Sequence, residues 1–377
     1  MSLASPTAAV GHGQDVVVLS TGDVRIPLHR AAGSSAARRA DQHYREPAGD
    51  VRLRSLIAAY SAATDGSAFD PSQVLVTPGA RQAILAVLRA VLGERREVLF
   101  VTPYWASYPQ LIGMAGGIGV PVPGPVGDGT LDLDALEAWR TPDTGVVIVN
   151  SPRNPDGAVV PAESLRGLVE WADRHGVTVL FDQVYRGVAV GERPAPSIVD
   201  LYAELPGHCV LVDGLSKSHA LAGLRLGWAV APAPVTARAT AVASHFIGHT
   251  SAPAQDTAIA VLGAGDSHRQ RIGAELAVNL DLALKALADV PGLNCDRPGG
   301  GIFLFPDIRG WLAQAPEQVR RSPAAWLRDR HRVALVDGSA FGAPGHLRLS
   351  FALPAEQLRS GTERLRLALE SPTGRAV

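Results

Sequence analysis

Short apolar runs alternate with helical patterns along the first two thirds of the chain. The runs are continuous and rich in β-branched residues, which is typical of strands that are buried on both faces. Helical patterns at 79–93 and 161–176 separate several of them. Strands joined by helices predict a mainly parallel sheet with helices on both sides. The seven predicted strands lie at residues 73–77, 97–101, 117–122, 145–150, 177–182, 209–213 and 225–231.

The pattern changes after Pro253. A helix-rich stretch comes first, followed by short strand-like segments such as HLRLSF (346–351) and a final helix from Pro354 to about Leu369. This mixture predicts a smaller α+β domain beside the α/β domain that holds the seven-stranded sheet. We therefore expect an N-terminal arm at 1–40 on the small domain and the pocket rim, a large domain at 41–252 and a small C-terminal domain at 253–377.

Length and composition exclude several classes of protein. A chain of 377 residues corresponds to two or three domains of ordinary size. The formal net charge of -1 argues against a basic nucleic-acid footprint. No signal pattern or membrane-length apolar run is evident, and Cys209 and Cys295 are too few for a disulfide framework. We expect a cytoplasmic protein with no nucleic-acid or membrane partner.

The use of lysine singles out one position. Only two of the 35 basic residues are lysine, Lys217 and Lys285. An arginine guanidinium stays protonated in proteins, whereas a lysine amine can lose its proton and attack a carbonyl group. Lys285 lies in a helical pattern typical of a solvated position. Lys217 lies in VDGLSKSHALAGLRLGW (212–228), directly after a predicted strand, and is the candidate for chemistry.

Three further motifs follow predicted strands, where ligands bind in sheets of this kind. TPGARQAIL (77–85) opens a helix, and the free amides at a helix N-terminus bind anions. In NSPRNPDG (150–157), Asn154 either points its amide at a ligand or belongs to an ordinary loop. In FDQVYRG (181–187), Asp182 either aims a carboxylate at a cationic group or caps a helix.

Two arginines complete the candidate set. Arg225 lies eight residues after Lys217, and Arg348 occupies a strand position in the second predicted domain. Arginine on a strand is most often an edge or surface residue. The functional interpretation of Arg348 is a bidentate clamp for a carboxylate.

Together these motifs resemble the fold-type I pyridoxal-phosphate enzymes, specifically the class I/II aminotransferases that are similar to aspartate aminotransferase. The resemblance runs from about Leu19 to Leu369. The motifs that carry it are N-P-x-G at 154–157, D-x-x-Y at 182–185, S-K at 216–217, R-x-G-W at 225–228 and R-L-S at 348–350, together with PYWASYPQ (103–110) and the segment 43–60.

The resemblance implies a pyridoxal 5'-phosphate cofactor and three catalytic residues. Lys217 would bind the cofactor covalently and then carry a proton. Asp182 would pair with the pyridine nitrogen and keep it protonated. Tyr185 would hydrogen-bond the phenolic oxygen together with Asn154, and Trp105 would stack on the ring.

The resemblance also implies the remaining binding residues. The phosphate would be held by Ala80, Arg81, Ser216 and Arg225, and by Tyr44 from the neighbouring subunit. The substrate α-carboxylate would be held by Arg348, helped by the Gly22 backbone, with Asn154 beside it. An active site shared between chains implies a homodimer.

The sequence departs from the family's pattern at several positions. Gln183 stands where Glu is usual, and the turn reads Arg-Asn-Pro-Asp-Gly rather than Asn-Asn-Pro-Thr-Gly. Gly214 lacks a hydroxyl that many members place near the phosphate, and Asp337 replaces a usual Pro. The arm reads STGDVRIPLH (20–29) rather than a G-E-P-D-F type sequence. The cofactor assignment is unaffected, but the arm borders the substrate pocket.

The arm leaves the substrate side chain open. Arg25 suits a distal carboxylate and Asp23 suits a guanidinium or an amine, while His29 is either a substrate contact or a solvated residue. We expect an aminotransferase that exchanges an amino group between an L-amino acid and a 2-oxo acid. A composition rich in Ala, Arg and Gly is typical of a high-GC genome. Because organisms with such genomes use many enzymes of this family in specialised metabolism, the composition favours a role there. The alternative is a related cofactor enzyme that performs β-elimination, cyclisation or oxidation.

One histidine pair has the spacing of a metal site. His245 and His249 lie at i and i+4 in HFIGH. No third ligand is evident, so we expect a helix surface and no metal.

Overall fold

A seven-stranded sheet forms the centre of the protein. The computed structural model describes residues 16–26, 43–62, 69–188, 194–202 and 204–370. After the two-residue strand β1 (Val17–Val18), the strands of the sheet are β2 (Val74–Thr77), β3 (Glu97–Val101), β4 (Ile118–Val122), β5 (Thr144–Asn150), β6 (Thr178–Asp182), β7 (Cys209–Gly214) and β8 (Gly227–Val230).

The topology confirms the mainly parallel sheet. Across the sheet the order is β2-β8-β7-β6-β5-β3-β4. Only β8 runs antiparallel to its neighbours, β2 and β7, and the other pairs are parallel. The carboxyl ends of β5, β6 and β7 therefore meet at one edge of the sheet, where their polar side chains come together.

Helices cover both faces of this sheet. One face carries α1 (Val51–Ser61), α4 (Leu133–Trp139), α5 (Ala162–His175) and α8 (Ala252–Gly263), and the other carries α2 (Ala80–Val91), α3 (Tyr108–Met114) and α7 (Ala233–Phe246). Successive residues of a strand point to opposite faces. Val147 and Val149 accordingly pack with the first group of helices, and Val146 and Ile148 with the second. Continuous apolar strands are the sequence consequence of this double burial.

A second hydrophobic core lies in the C-terminal part and confirms the α+β pattern expected there. Its strands are β9 (Phe303–Leu304), β10 (Val333–Ala334), β11 (Val336–Asp337) and β12 (Leu347–Ser350), and its helices are α9 (Ser267–Leu287), α10 (Arg309–Leu312), α11 (Glu317–Arg321), α12 (Pro323–His331) and α13 (Ala355–Glu370). The order β11-β12-β9 is antiparallel. Asn279 ties α9 to the segment after β12, since its Nδ2 donates to the Phe351 and Leu353 carbonyls at 3.0 and 2.8 Å.

The described part of the arm packs on this second core. β1 pairs in parallel with β10, Leu19 is fully buried, and the Ser350 amide donates to the Leu19 carbonyl at 2.7 Å. Ala254 and Ala258 of α8, in contrast, pack in the core of the large sheet. The domain limits 1–40, 41–252 and 253–377 stay a prediction.

The helix expected over HFIGH is wrong for its second histidine. α7 ends at Phe246, and Gly248 has a positive φ of 74° that turns the chain away from the helix axis. His245 is on the helix and His249 is beyond it, so the two side chains do not share a helix face. Among the described residues, no group of three or more His, Cys, Asp or Glu side chains is arranged to hold a metal ion, and no helix is long and apolar enough to span a membrane.

Candidate active site

A cavity of about 360 Å³ lies where the ends of the central strands face the second core. It brings together residues that are far apart in the sequence. Its lining comprises Gly22, Ala80, Arg81, Trp105, Ala106, Ser107, Asn150, Asn154, Asp182, Val184, Tyr185, Gly214, Ser216, Lys217, Arg225, Phe303, Phe341 and Arg348. With the exception of Tyr44, all the residues that the resemblance assigns to the cofactor or to the substrate α-carboxylate are among them.

Lys217 enters the cavity from a four-residue helix, α6 (Leu215–Ser218), that directly follows β7. Gly214 precedes it because the backbone has no room for a side chain there: a Cβ would lie 2.9 Å from the Gly227 Cα on β8. The Lys217 Nζ donates to the Gly22 carbonyl. Burial lowers the pKa of Lys217 to about 8, so more of the amine is unprotonated near neutral pH than for an ordinary lysine, and the unprotonated amine is the nucleophile.

Asp182 ends β6 as a buried carboxylate. It accepts a hydrogen bond of 2.7 Å from the Tyr108 hydroxyl and one of 3.3 Å from the Val184 amide. A turn follows it rather than a helix, so the helix-cap interpretation fails. Burial raises the pKa of Asp182 to about 6, against the opposing effects of Tyr108 and Lys217. A carboxylate with two neutral donors in a dry site favours an additional cationic partner.

An anion site lies at the start of α2. Gly79 precedes the helix with a φ of 90°, and no side chain caps the first amides. The Arg225 guanidinium fills the adjacent space, since a Cβ on Gly79 would lie 2.7 Å from its Nη2. The Arg225 Nη1 donates to the Ala222 carbonyl at 2.8 Å. Free helix amides and a guanidinium together bind phosphate-like anions.

Arg81 adds a second positive charge to this corner of the cavity. Its guanidinium carbon lies 5.1 Å from the centre of the Trp105 ring, and its Nη2 donates to the Ser107 hydroxyl at 3.4 Å. Burial and the neighbouring Arg225 lower the pKa of Arg81. Among the described residues neither arginine forms an ion pair with a carboxylate, so the corner is set to receive a negatively charged ligand.

Arg348 projects from β12 into the opposite side of the cavity. Its guanidinium carbon lies between the Phe303 and Phe341 rings, 4.1 and 4.7 Å from their centres. Its Nη1 donates to Asn154 Oδ1 at 2.9 Å, and its Nη2 donates to the Ser20 carbonyl at 3.1 Å. The Nε is buried without a hydrogen-bond partner, and burial lowers the pKa of Arg348 to about 10. A buried cation with a spare donor is suited to a carboxylate.

Asn154 and Tyr185 lie between the two sides. Both are buried, and burial raises the pKa of the Tyr185 phenol while a hydrogen bond from Asn154 opposes that rise. The Asn154 backbone N–H donates to Asn150 Oδ1 at 2.7 Å. Asn150 in turn donates from Nδ2 to the Asp182 carbonyl at 2.8 Å. The ends of β5 and β6 are thereby tied together directly under the cavity.

Four candidate residues lie outside the cavity lining or outside the described residues. The Tyr44 side chain is 95% exposed and meets His249 edge-on at 5.6 Å between ring centres. Asp23 and Arg25 form a partly exposed ion pair at 3.4 Å. His29 lies outside the described residues.

The comparison with known proteins agrees with this geometry. The sequence pattern of the family described as aminotransferase class I and II matches residues 14–365. The chain belongs to this family. It is 33% identical to an aspartate aminotransferase of Geobacillus stearothermophilus, over 95% of this chain and 92% of the relative. It is also 34% identical to an arginine–pyruvate transaminase of Pseudomonas aeruginosa, over 98% and 94% of the two chains.

Solved structures show the same fold. The aspartate aminotransferase of Thermus thermophilus with maleate matches with a TM-score of 0.83 and 32% identity, over 94% of this chain and 92% of that one. An aromatic aminotransferase of Pyrococcus horikoshii also matches with a TM-score of 0.83, at 30% identity over 94% and 96%. The protein is therefore an aminotransferase of fold type I. Elimination, cyclisation and oxidation are not favoured by these relatives.

The structure of this aminotransferase adds site residues that the sequence motifs did not indicate. Tyr108 on α3 hydrogen-bonds the Asp182 carboxylate across 74 positions of sequence. Phe303 and Phe341 enclose the Arg348 guanidinium. The one available signal for Tyr108 is its place in PYWASYPQ, shortly after β3. The two phenylalanines lie in short apolar segments with no distinguishing pattern.

Gln183, where the family usually has Glu, points away from the cavity. It accepts a hydrogen bond of 2.6 Å from the Ser197 hydroxyl and is fully buried. The Gln183 side-chain amide also hydrogen-bonds Asp213 on β7. Burial raises the pKa of Asp213 to about 7. Asp337 caps the turn that follows β11 by accepting from the Ser339 amide at 3.0 Å. Both departures are thus accommodated by hydrogen bonds outside the cavity lining.

Proposed function

We propose that this aminotransferase holds pyridoxal 5'-phosphate in the described cavity, bound covalently through Lys217. The observation that carries the proposal is the meeting of three complementary groups in one cavity: an amine with a lowered pKa, a buried carboxylate and a corner with two unpaired guanidinium groups. Members of the family use this cofactor.

The residues present fit the cofactor's three polar parts. The start of α2, with Arg225, suits the phosphate, because a dianion supplies the negative charge that this corner lacks. Asp182 suits the pyridine nitrogen, because a protonated ring supplies the cation that the carboxylate lacks. Lys217 suits the aldehyde carbon, since its amine is partly unprotonated near neutral pH.

The side chains of the cavity then have separate roles toward the cofactor and the substrate. When bound, the cofactor supplies a ring that takes up the electron pair released at the substrate Cα. Asp182, oriented by Tyr108, keeps the ring nitrogen protonated. The Lys217 Nζ carries the proton that leaves Cα. Asn154 and Tyr185 would hold the phenolic oxygen, and the Trp105 ring, which lines the cavity, would exclude water from the cofactor.

The other cofactor and substrate contacts follow from the same placement. Ala80, Arg81 and Ser216 line the phosphate corner beside Arg225. Arg348 binds the substrate α-carboxylate, helped by the Gly22 backbone, and both residues line the cavity. Because amino acid and 2-oxo acid share that carboxylate, one guanidinium serves both halves of the transfer.

The proposal is tested by titrating the cofactor-free protein with pyridoxal 5'-phosphate. We expect one cofactor per chain and a new absorbance band at a wavelength different from that of the free aldehyde, with a position that depends on pH. A variant with Arg225→Gln is expected to bind at least about 10-fold more weakly, as for the loss of a charge-assisted hydrogen bond. A protein that shows no such band, or that binds equally well without Arg225, would contradict the assignment.

Arg348→Lys is expected to raise KM for the amino acid and for the oxo acid alike, by about 10–100-fold. Lysine keeps the charge but cannot form two parallel hydrogen bonds to a carboxylate. Cofactor affinity is expected to change little, since the phosphate corner lies on the other side of the cavity. Half-reaction kinetics with each substrate, beside cofactor dissociation, give the answer.

The matched control for this prediction is Arg320→Lys, a conservative change at an exposed position of α11. It should leave both KM values unaltered. Loss of cofactor with normal substrate affinity in Arg348→Lys would show that Arg348 is not the carboxylate clamp.

We further propose a cytoplasmic homodimer in which Tyr44 completes the phosphate site of the partner chain. The supporting observation is that the Tyr44 ring is almost fully exposed while the other proposed phosphate ligands line their own cavity. Cys209 and Cys295 are both unpaired, which suits a reducing compartment.

A further inference from the structure

A buried ion pair lies next to Asn154, on the side of the turn that faces away from the cavity. Arg153 and Asp156 are 8% and 7% exposed. The Arg153 Nε donates to Asp156 Oδ1 at 2.9 Å, and its Nη2 donates to Asp156 Oδ2. The guanidinium and the carboxylate thus meet through two parallel hydrogen bonds, the geometry that makes such pairs strong and directional.

The pair also fastens the turn to the segment that follows β4. The Arg153 Nη2 donates to the carbonyls of Pro125 and Asp128 at 2.7 and 3.2 Å. The Gly127 amide donates to Asp156 Oδ2 at 2.8 Å. Each charged group therefore has hydrogen-bond partners in addition to the other member of the pair, which is the condition under which a buried ion pair is tolerated.

The turn at 151–157 contacts both the cavity and the segment that precedes β9. Among residues 151–157, Asn154 alone lines the cavity, and its Oδ1 accepts from Arg348 at 2.9 Å. The Gly157 carbonyl accepts from the Gly300 amide at 3.1 Å, close to the start of β9. Any loosening of the turn shifts Asn154, which among the described residues is the side chain that hydrogen-bonds Arg348 and also hydrogen-bonds Tyr185.

The pair accounts for two departures from the family's pattern at once. Arg153 and Asp156 stand where Asn and Thr are usual, and they form a charged pair at i and i+3. Replacing either residue alone leaves the other charge buried without its partner, which is strongly destabilising. The two residues therefore act as one unit.

We propose that the Arg153–Asp156 pair is a positioning device for Asn154, which sets both the protonation behaviour of the bound cofactor and the affinity of Arg348 for substrate. The inference rests on the proposed cofactor site. It assigns Arg153 and Asp156 as positioning residues, since neither lines the cavity. A merely structural role would change stability alone.

The test uses the double variant Arg153→Gln/Asp156→Asn, in which no charge is left unpaired. In the holoenzyme, the cofactor's absorbance changes with pH as the nitrogen that joins it to Lys217 gains or loses its proton. A weaker hydrogen bond from Asn154 to the phenolic oxygen favours the protonated form, so we expect the pH midpoint of this change to rise by about 0.5–1 unit. KM for the amino acid is expected to rise about 2–10-fold. Asn154→Ala defines the full size of the midpoint shift.

The control is Glu137→Gln/Arg140→Gln, which neutralises another i, i+3 ion pair, on and next to α4. It should leave the midpoint and KM unchanged. Arg153→Lys is a second variant, which keeps the positive charge but cannot form the two parallel hydrogen bonds to Asp156. It should shift the midpoint in the same direction by a smaller amount. It keeps the proposal open to contradiction where the double variant does not fold.

Folded double and Arg153→Lys variants with wild-type midpoint and KM would overturn the inference and leave the cofactor proposal intact. A wild-type protein that gives no absorbance band with pyridoxal 5'-phosphate would instead overturn the proposed cofactor site, and this inference with it. The two failures are thus distinguishable from the spectrum of the wild-type protein alone.

Discussion

Lys217→Ala is expected to lower turnover by more than about 10⁴-fold, the largest effect of any single substitution in the cavity. The change removes the amine that bonds to the cofactor and also the group that carries the proton from Cα, and positioned acid–base groups alone contribute up to about 10⁴-fold. Pyridoxal 5'-phosphate should still bind, but without a covalent bond, because the phosphate corner and Asp182 are intact. Single-turnover absorbance measurements with an amino acid give the rate.

The other lysine of the chain provides the matched control. Lys285 lies on α9, and Lys285→Ala should keep wild-type turnover. Borohydride reduction of the wild-type holoenzyme, followed by peptide mapping, should place the cofactor on Lys217. A reduced adduct found on Lys285 or on the α-amino group would overturn this prediction.

Asp182→Asn is expected to slow the half-reaction by about 10²–10³-fold, corresponding to the ~3–4 kcal/mol that a removed electrostatic interaction in an active site typically costs. The amide keeps the shape of the side chain but not the charge that holds the ring nitrogen protonated. The fold should be retained, and Asp173→Asn at an exposed carboxylate of α5 should leave the rate unchanged. A rate near that of the wild type would mean that Asp182 only anchors the turn after β6.

The same substitution is expected to affect the stability of the cofactor-free protein in a pH-dependent way. Burial raises the folded-state pKa of Asp182 to about 6 from 3.8, so its contribution to stability is fully present below the lower value and is lost as pH rises through the upper one. Asn resembles the protonated carboxyl. The variant should therefore be more stable than the wild type by about 1–3 kcal/mol at about pH 7.5.

Urea unfolding of the two cofactor-free proteins measures this difference. The gap should shrink as pH falls to about 4.5, where the wild-type carboxyl is largely protonated. A gap that stays constant between the two pH values would show that burial of the Asp182 charge is not its cause.

Much of the fold could be predicted because burial on both faces imposes a simple pattern. The apolar run predicted at 177–182 is strand β6, Thr178–Asp182, and the run predicted at 97–101 is β3. The helix predicted across HFIGH failed because an i, i+4 histidine spacing carries no information about where a helix ends. Gly248, whose positive φ follows the end of α7, was the signal within the same five residues.

The site could be predicted as far as it rests on residues that follow strands. Lys217, Asp182 and Asn154 come directly after β7, β6 and β5 or end them, so the topology alone brings them together. Tyr108 could not be derived in this way, because its contact with Asp182 depends on how α3 packs on the sheet. The Arg153–Asp156 pair was visible only as two separate departures, since their contact requires the three-dimensional turn.

We infer that this aminotransferase transfers an amino group in the cavity around Lys217. The most direct test mixes the holoenzyme with one amino acid at a time, without an acceptor, and follows cofactor absorbance and products. We expect one equivalent of 2-oxo acid per chain, conversion of the cofactor to its amine form, and no free ammonia. Adding a 2-oxo acid should then restore the original spectrum. Continuous release of ammonia, or consumption of oxygen, with the spectrum unchanged at the end would contradict it.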